Sequence, residues 1–141
     1  MFDHLIHELG SALENNQRII PSFKNALAKA RVTMASNFEA GVSTDLLIKA
    51  NSDFMDDIMR LAWNRFKWTE NRTSWRKSRI SLLAVGGYGR QELLPNSDID
   101  LLILLERNNQ SAHRDNIQSF TTLLWDIGLE VGHSVRSIAE C

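Results

Sequence analysis

Cysteine is almost missing: the only one is Cys141, so no internal disulfide can form and a reducing, cytoplasmic setting is expected. Long apolar runs are also lacking. No uninterrupted apolar segment approaches the ~20 residues of a membrane helix, and Met1-Phe2-Asp3-His4 does not lead from basic residues into an apolar stretch. Neither a membrane span nor a secretion signal is therefore expected. Charge of one sign is absent in bulk: 16 basic residues face 17 acidic ones, for a net charge of -1. General attraction to nucleic acid or to an anionic membrane is thereby excluded, and any nucleotide must be held by a local site. Only two prolines occur, with no repeat and no low-complexity stretch. What remains is 141 residues at 43% apolar and 23% charged, the composition of one soluble globular domain.

The apolar residues are ordered differently along the chain. Phe2, Leu5, Ile6, Leu9 and Leu13 recur at steps of three and four, which predicts a helix. Pro21 is read as an interruption. A second helix from about Ser22 carries Phe23, Ala26, Leu27, Ala30, Met34 and Phe38 and stops at Gly41. Ser43 or Thr44 caps a third, with Leu47, Phe54, Ile58, Leu61, Ala62 and Phe66, ending near Trp68 before the polar stretch Thr69 to Ser78. The signal then changes. Ile80 to Val85 is a short apolar run ended by two glycines and reads as a buried strand; Ile99 to Leu105 reads as a second strand. Residues 111 to 126 suit a helix, and Gly128 to Arg136 alternates as a third strand. The expected architecture is α+β: a helical region over 1–78, then a core over 79–141 with a small mixed sheet backed by one helix.

One segment carries chemistry. Asp98 and Asp100 flank a single apolar residue at the start of a strand, so the two-residue period turns both carboxylates to one side while Ile99 points into the core. Their Cα atoms would lie roughly 7 Å apart, close enough to share one or two divalent ions. Hard oxygen ligands select Mg²⁺ or Mn²⁺, ions that bind phosphates readily. Upstream, Gly86-Gly87 lets the backbone turn with positive φ and lets a triphosphate approach without a Cβ in the way. Arg90 is near enough to add a charged donor. Taken singly, Gly-Gly is a plain turn, Asp-Ile-Asp a solvated strand start and Arg90 a surface residue. Together, at this spacing, they point to phosphoryl chemistry.

Val85-Gly86-Gly87, ten intervening residues and Asp98-Ile99-Asp100 resemble the signature of the nucleotidyltransferase superfamily typified by DNA polymerase beta. The fuller string from Gly86 to Leu102, and the continuation from Leu124 to Arg136, resemble the bifunctional PII uridylyltransferase and uridylyl-removing family, over about residues 80 to 138. The resemblance implies transfer of UMP from UTP to a tyrosine of the PII nitrogen-regulatory protein, with release of pyrophosphate. Asp98 and Asp100 would hold the metal, and Gly86, Gly87, Arg90 and Ser97 the phosphates. The superfamily uses a third carboxylate on a following strand; Glu130, between Leu129 and Val131, is either that ligand or an outward-facing strand residue. Members of the family continue into a His-Asp hydrolase and glutamine-sensing domains. This chain shows no such motif, so it is expected to be an amino-terminal fragment that neither removes uridylyl groups nor senses glutamine, with weak or no transfer activity alone. A different nucleotidyltransferase, adenylylating a protein or acting on a small molecule, and a non-catalytic nucleotide-binding module stay open.

Other residues invite less. His4 and His7 read as the exposed first turn of a helix. His133 is read as structural, or as support for a metal ligand. Arg72, Trp75, Arg76, Lys77 and Arg79 mix basic and aromatic side chains but read as a solvated linker in so balanced a chain.

Overall fold

The computed structural model describes residues 1–68, 79–93, 97–106 and 110–140. Three helices come first, α1 (Asp3–Glu14), α2 (Ile19–Glu39) and α3 (Thr44–Trp63). Strand β1 (Ile80–Val85), the single helical turn α4 (Gly86–Gly89), β2 (Ile99–Leu105), α5 (Gln110–Asp126) and β3 (Val131–Ser137) follow. The architecture is α+β, as the apolar periods require. Among the described residues no helix is long and apolar enough to cross a membrane.

Each helix buries the stripe that its sequence spacing places on one face: Leu5, Leu9 and Leu13 on α1, Phe23 to Met34 on α2, and Leu47, Phe54, Ile58 and Ala62 on α3. His4 and His7 are exposed on α1. The expected stripe of α2 is one residue too long, because Phe38 is 63% exposed in the last turn. Pro21 does not interrupt. It sits in the first turn of α2, where its missing N–H has no intrahelical acceptor to lose. The third helix ends at Trp63 rather than near Trp68; Trp68 folds back and stacks on Trp63 with ring centroids 3.8 Å apart.

Ser43 caps α3, its Oγ accepting a hydrogen bond from the Leu46 N–H at 3.3 Å. Both groups are exposed, so Ser43→Ala removes the cap and little packing. A loss of about 1 kcal/mol is expected, with Ser43→Gly recovering most of it. Thermal unfolding checks this, as a fall in midpoint of about 3–4 °C for the alanine variant.

The sheet order is β1-β2-β3, with β1 antiparallel to β2 and β2 parallel to β3. A parallel pair needs a crossover, and α5 supplies it. Central β2 alternates cleanly: Ile99, Leu101, Ile103 and Leu105 are buried while Asp100 faces out. Strand β1 is a correction to the expected buried strand. Among the described residues it lies at the edge with a partner on one side only, its apolar residues are at most half-buried, and Leu83 is 40% exposed. The third strand begins later than expected, at Val131. Gly128, at φ 96°, follows the end of α5, and the Leu129 N–H donates to the Leu124 carbonyl, so residues 128–130 are spent on leaving the helix.

The helical and strand-bearing parts share one core. Phe120 of α5 meets the edges of Trp63, Phe66 and Trp68, and one apolar cluster runs from Phe2 to Leu129. Full burial of each large apolar side chain, as at Phe23, Ile58 and Phe120, contributes roughly 1.5–3 kcal/mol. Thr69 to Ser78, which include Arg72, Trp75, Arg76 and Lys77, and also Cys141, lie outside the described residues.

Candidate functional site

Asp98 and Asp100 stand at the start of the central strand, both exposed, with buried Ile99 between them. Asp98 immediately precedes β2, and Asp100 is its second residue. The register sets Asp100 between Val85, at the end of β1, and Gly132 of β3. Two glycines therefore flank its carboxylate. A Cβ on Gly86 would lie 2.8 Å from Asp100 Oδ2, and one on Gly132 would lie 3.4 Å from Oδ1. Gly86 also has φ 62°, the left-handed conformation that glycine adopts without cost. The expected positive φ thus falls on Gly86; Gly87 is not among the positive-φ residues.

The segment after β1 makes one helical turn. Arg90 N–H donates to the Gly86 carbonyl and Glu92 N–H to that of Gly87. Gly89 is required for packing, since a Cβ there would come within 2.7 Å of the Ala84 carbonyl oxygen. Arg90 is exposed beside Gly87 and its Nε donates to Glu92 Oε2 at 3.2 Å. An exposed pair of this kind is weak, which leaves the guanidinium free to exchange partners.

Ser97 and Glu130 are placed differently from the carboxylates of β2. Both line a cavity of about 550 Å³ walled by Leu27, Met34, Leu47 and Ile99, on the helix side of the sheet. Glu130 is exposed and precedes β3, so strand alternation does not fix its side; its carbonyl accepts the Ile99 N–H at 2.9 Å. Among the described residues no three His, Cys, Asp or Glu side chains converge as a ready-made metal cluster. The oxygen donors of Asp98 and Asp100 nevertheless suit a hard divalent ion, and Gly86 and Gly132 let the backbone lie close to the Asp100 carboxylate where any other residue would crowd it. His133 is exposed on β3.

Two participants left no mark on the sequence reading. Gly132 becomes visible only when the β2–β3 register sets it beside Asp100, although a glycine inside a strand is a known sign of close approach. Tyr88 is 4% exposed and its hydroxyl donates to Asp56 Oδ1 at 2.6 Å, across 32 residues. Burial, and then the Asp56 carboxylate, hold the phenol well above the ordinary tyrosine value.

The family model described as "Nucleotidyltransferase domain" matches residues 67–141, and the chain belongs to that family. Among curated proteins it is similar to the bifunctional uridylyltransferase/uridylyl-removing enzyme of Azotobacter vinelandii, with 52% identity over 122 residues. The enzymes of the same name from Stutzerimonas stutzeri and Pseudomonas syringae pv. tomato are 51% and 50% identical over the same length. Each alignment covers 86% of this chain and 13% of the relative, so the chain spans about an eighth of those proteins. No solved structure matches it.

Proposed function

We propose that this chain carries the metal-dependent core of a uridylyltransferase, which transfers UMP from UTP to a tyrosine hydroxyl of the PII signalling protein in the cytoplasm. The observation that carries it is the seat of Asp100, held by its strand between Gly86 and Gly132 with Asp98 two residues before it. The relatives' names supply the uridylyl group, and the resemblance of the Gly86 to Leu102 segment supplies the acceptor.

Asp98 and Asp100 would hold Mg²⁺ or Mn²⁺; Glu130, exposed one residue before β3, would join them only by turning its side chain from the helix-side cavity toward Asp100. The ion, when bound, supplies positive charge that offsets the charge of the phosphates. The chain's own residues do the rest. Gly86 and Gly87 carry no side chain of their own, so the triphosphate can approach their backbone. Arg90 has a guanidinium that can leave Glu92 for a phosphate oxygen, and Ser97 offers a hydroxyl for the same purpose. With the triphosphate oriented, the acceptor oxygen attacks the α-phosphorus. That new bond forms as the bond from the α-phosphorus to the bridging oxygen breaks; pyrophosphate leaves, and the hydroxyl proton of the acceptor passes to solvent.

Titration of the chain with UTP, ATP, CTP and GTP, with and without magnesium, followed by tryptophan fluorescence or calorimetry, tests this. Binding that requires magnesium and is at least tenfold tighter for UTP is expected. Preference for another nucleotide would transfer the reading to a different nucleotidyltransferase. Binding without transfer to PII would leave a nucleotide-binding module, and no binding at all by the folded chain would defeat the proposal.

A further inference from the structure

Helix α3 holds the stretch from Tyr88 to Leu93, which follows Gly86-Gly87, at both ends. Asp56 accepts the Tyr88 hydroxyl at 2.6 Å within the Gly86–Gly89 turn. One turn earlier on the helix, buried Ser52 accepts the Leu93 N–H at 3.3 Å, and Asn51 Nδ2 donates to the Leu93 carbonyl at 3.1 Å. Residues 88 and 93 are thus both tied to one rigid element. Between them the backbone has little secondary structure of its own, and Gln91 sits at φ 58°, a conformation that a non-glycine residue keeps only when its surroundings impose it. At the other side of the turn, Gly86 lies against Asp100 with no room for a Cβ. A small displacement of Tyr88 would therefore be passed to Gly86 and to the carboxylate it faces.

We propose that Asp56 and Tyr88 are a positioning pair, through which α3 sets the place of the Gly86–Gly87 backbone against Asp100 and so the affinity for a nucleotide triphosphate. This rests on the reading of that backbone as a phosphate site. Neither residue touches the nucleotide; both act through the turn between them and Asp100. Tyr88 is the only tyrosine in the chain, so its ionisation can be followed by ultraviolet absorbance without interference from another phenol. Because the folded-state value is raised, the unfolded chain ionises first. The pair's stabilisation is fully present below the ordinary tyrosine value near 10 and is lost as pH rises above it.

The test uses Tyr88→Phe, Asp56→Ala, the double variant and the conservative Asp56→Asn, each checked for folding by circular dichroism. Magnesium-dependent UTP affinity and backbone hydrogen exchange over residues 85–93 are measured on all. Each single removal is expected to weaken UTP binding about fivefold to tenfold, the double variant no more than either single, and Asp56→Asn, which keeps the acceptor oxygen, by less than twofold. Exchange over 85–93 quickens in Tyr88→Phe and Asp56→Ala, and absorbance titration of Asp56→Ala shows tyrosinate at a lower pH than the unaltered chain. Unchanged UTP affinity in folded Tyr88→Phe and Asp56→Ala, or losses that simply add, would overturn the proposal. If the unaltered chain binds no nucleotide, the functional reading falls separately. Exchange then decides on the tether alone: quickening upholds it and no change overturns it.

Discussion

Replacing Asp98 and Asp100 together by asparagine is expected to abolish the magnesium dependence of nucleotide binding and, where this core is carried by a longer active protein, to cut nucleotide transfer by about 10³-fold or more. The magnitude follows from charge. Two carboxylates that neutralise a divalent ion beside a triphosphate account for several kcal/mol of stabilisation, and about 4 kcal/mol is a thousandfold in rate. Asparagine keeps the shape and removes the charge. Since both aspartates are exposed and no ion pair involving either is present among the described residues, folding should be preserved, with stability within about 0.5 kcal/mol of the parent. Calorimetric titration with UTP, with and without magnesium, reads the binding. Thermal unfolding shows that the fold survives. Retention of magnesium-dependent binding in the double variant would move the metal away from β2 altogether.

Gly86→Ala is expected to lower stability by about 1–2 kcal/mol and transfer by about 10²-fold, out of proportion to the addition of one methyl group. Two costs combine. Alanine at φ 62° sits in the left-handed region, which costs roughly 1 kcal/mol, and its Cβ would lie 2.8 Å from Asp100 Oδ2, where real contacts are never found. The carboxylate must move, and a displacement on the order of 1 Å at a reacting centre suffices for a hundredfold loss. Gly10→Ala in α1 is the matching control, since nothing lies within 4 Å of its new Cβ and its backbone is helical. That variant should gain about 0.5–1 kcal/mol and leave nucleotide binding unaltered. Denaturant unfolding and UTP titration of the two variants, side by side, separate general glycine effects from the contact with Asp100. Equal nucleotide affinity in both would show that Gly86 has no special relation to the carboxylate.

Much of the architecture could be read from apolar spacing, because a helix stripe and a strand alternation are local properties. The stripes of α1, α2 and α3 and the two-residue period of β2 appear where the sequence puts them. Local reading fails where a partner decides. Nothing in Ile80 to Val85 says that it is an edge strand, and its apolar content alone suggested full burial. Pro21 misled because a proline suits the first turn of a helix as well as a break. At the site, the Asp98-Ile99-Asp100 spacing and the need for a glycine at position 86 were legible, being matters of strand period and backbone conformation. Gly132 and the Asp56–Tyr88 hydrogen bond were not, since each depends on register or packing between segments far apart in the chain. Glu130 lies between the two cases: its apolar neighbours suggested a strand residue, but leaving α5 uses up residues 128–130, and it stops one short of β3.

The ring cluster of Trp63, Phe66, Trp68 and Phe120 bears on how such a domain could be moved between proteins. A graft taken from Ile80 onward would carry both aspartates and β1, β2 and β3. It would also leave Phe120 without the rings it packs against and Tyr88 without Asp56. A transplantable cassette therefore has to include α3, whose Phe54 in turn packs against Phe2 with ring centroids 5.1 Å apart, rather than start at the first strand.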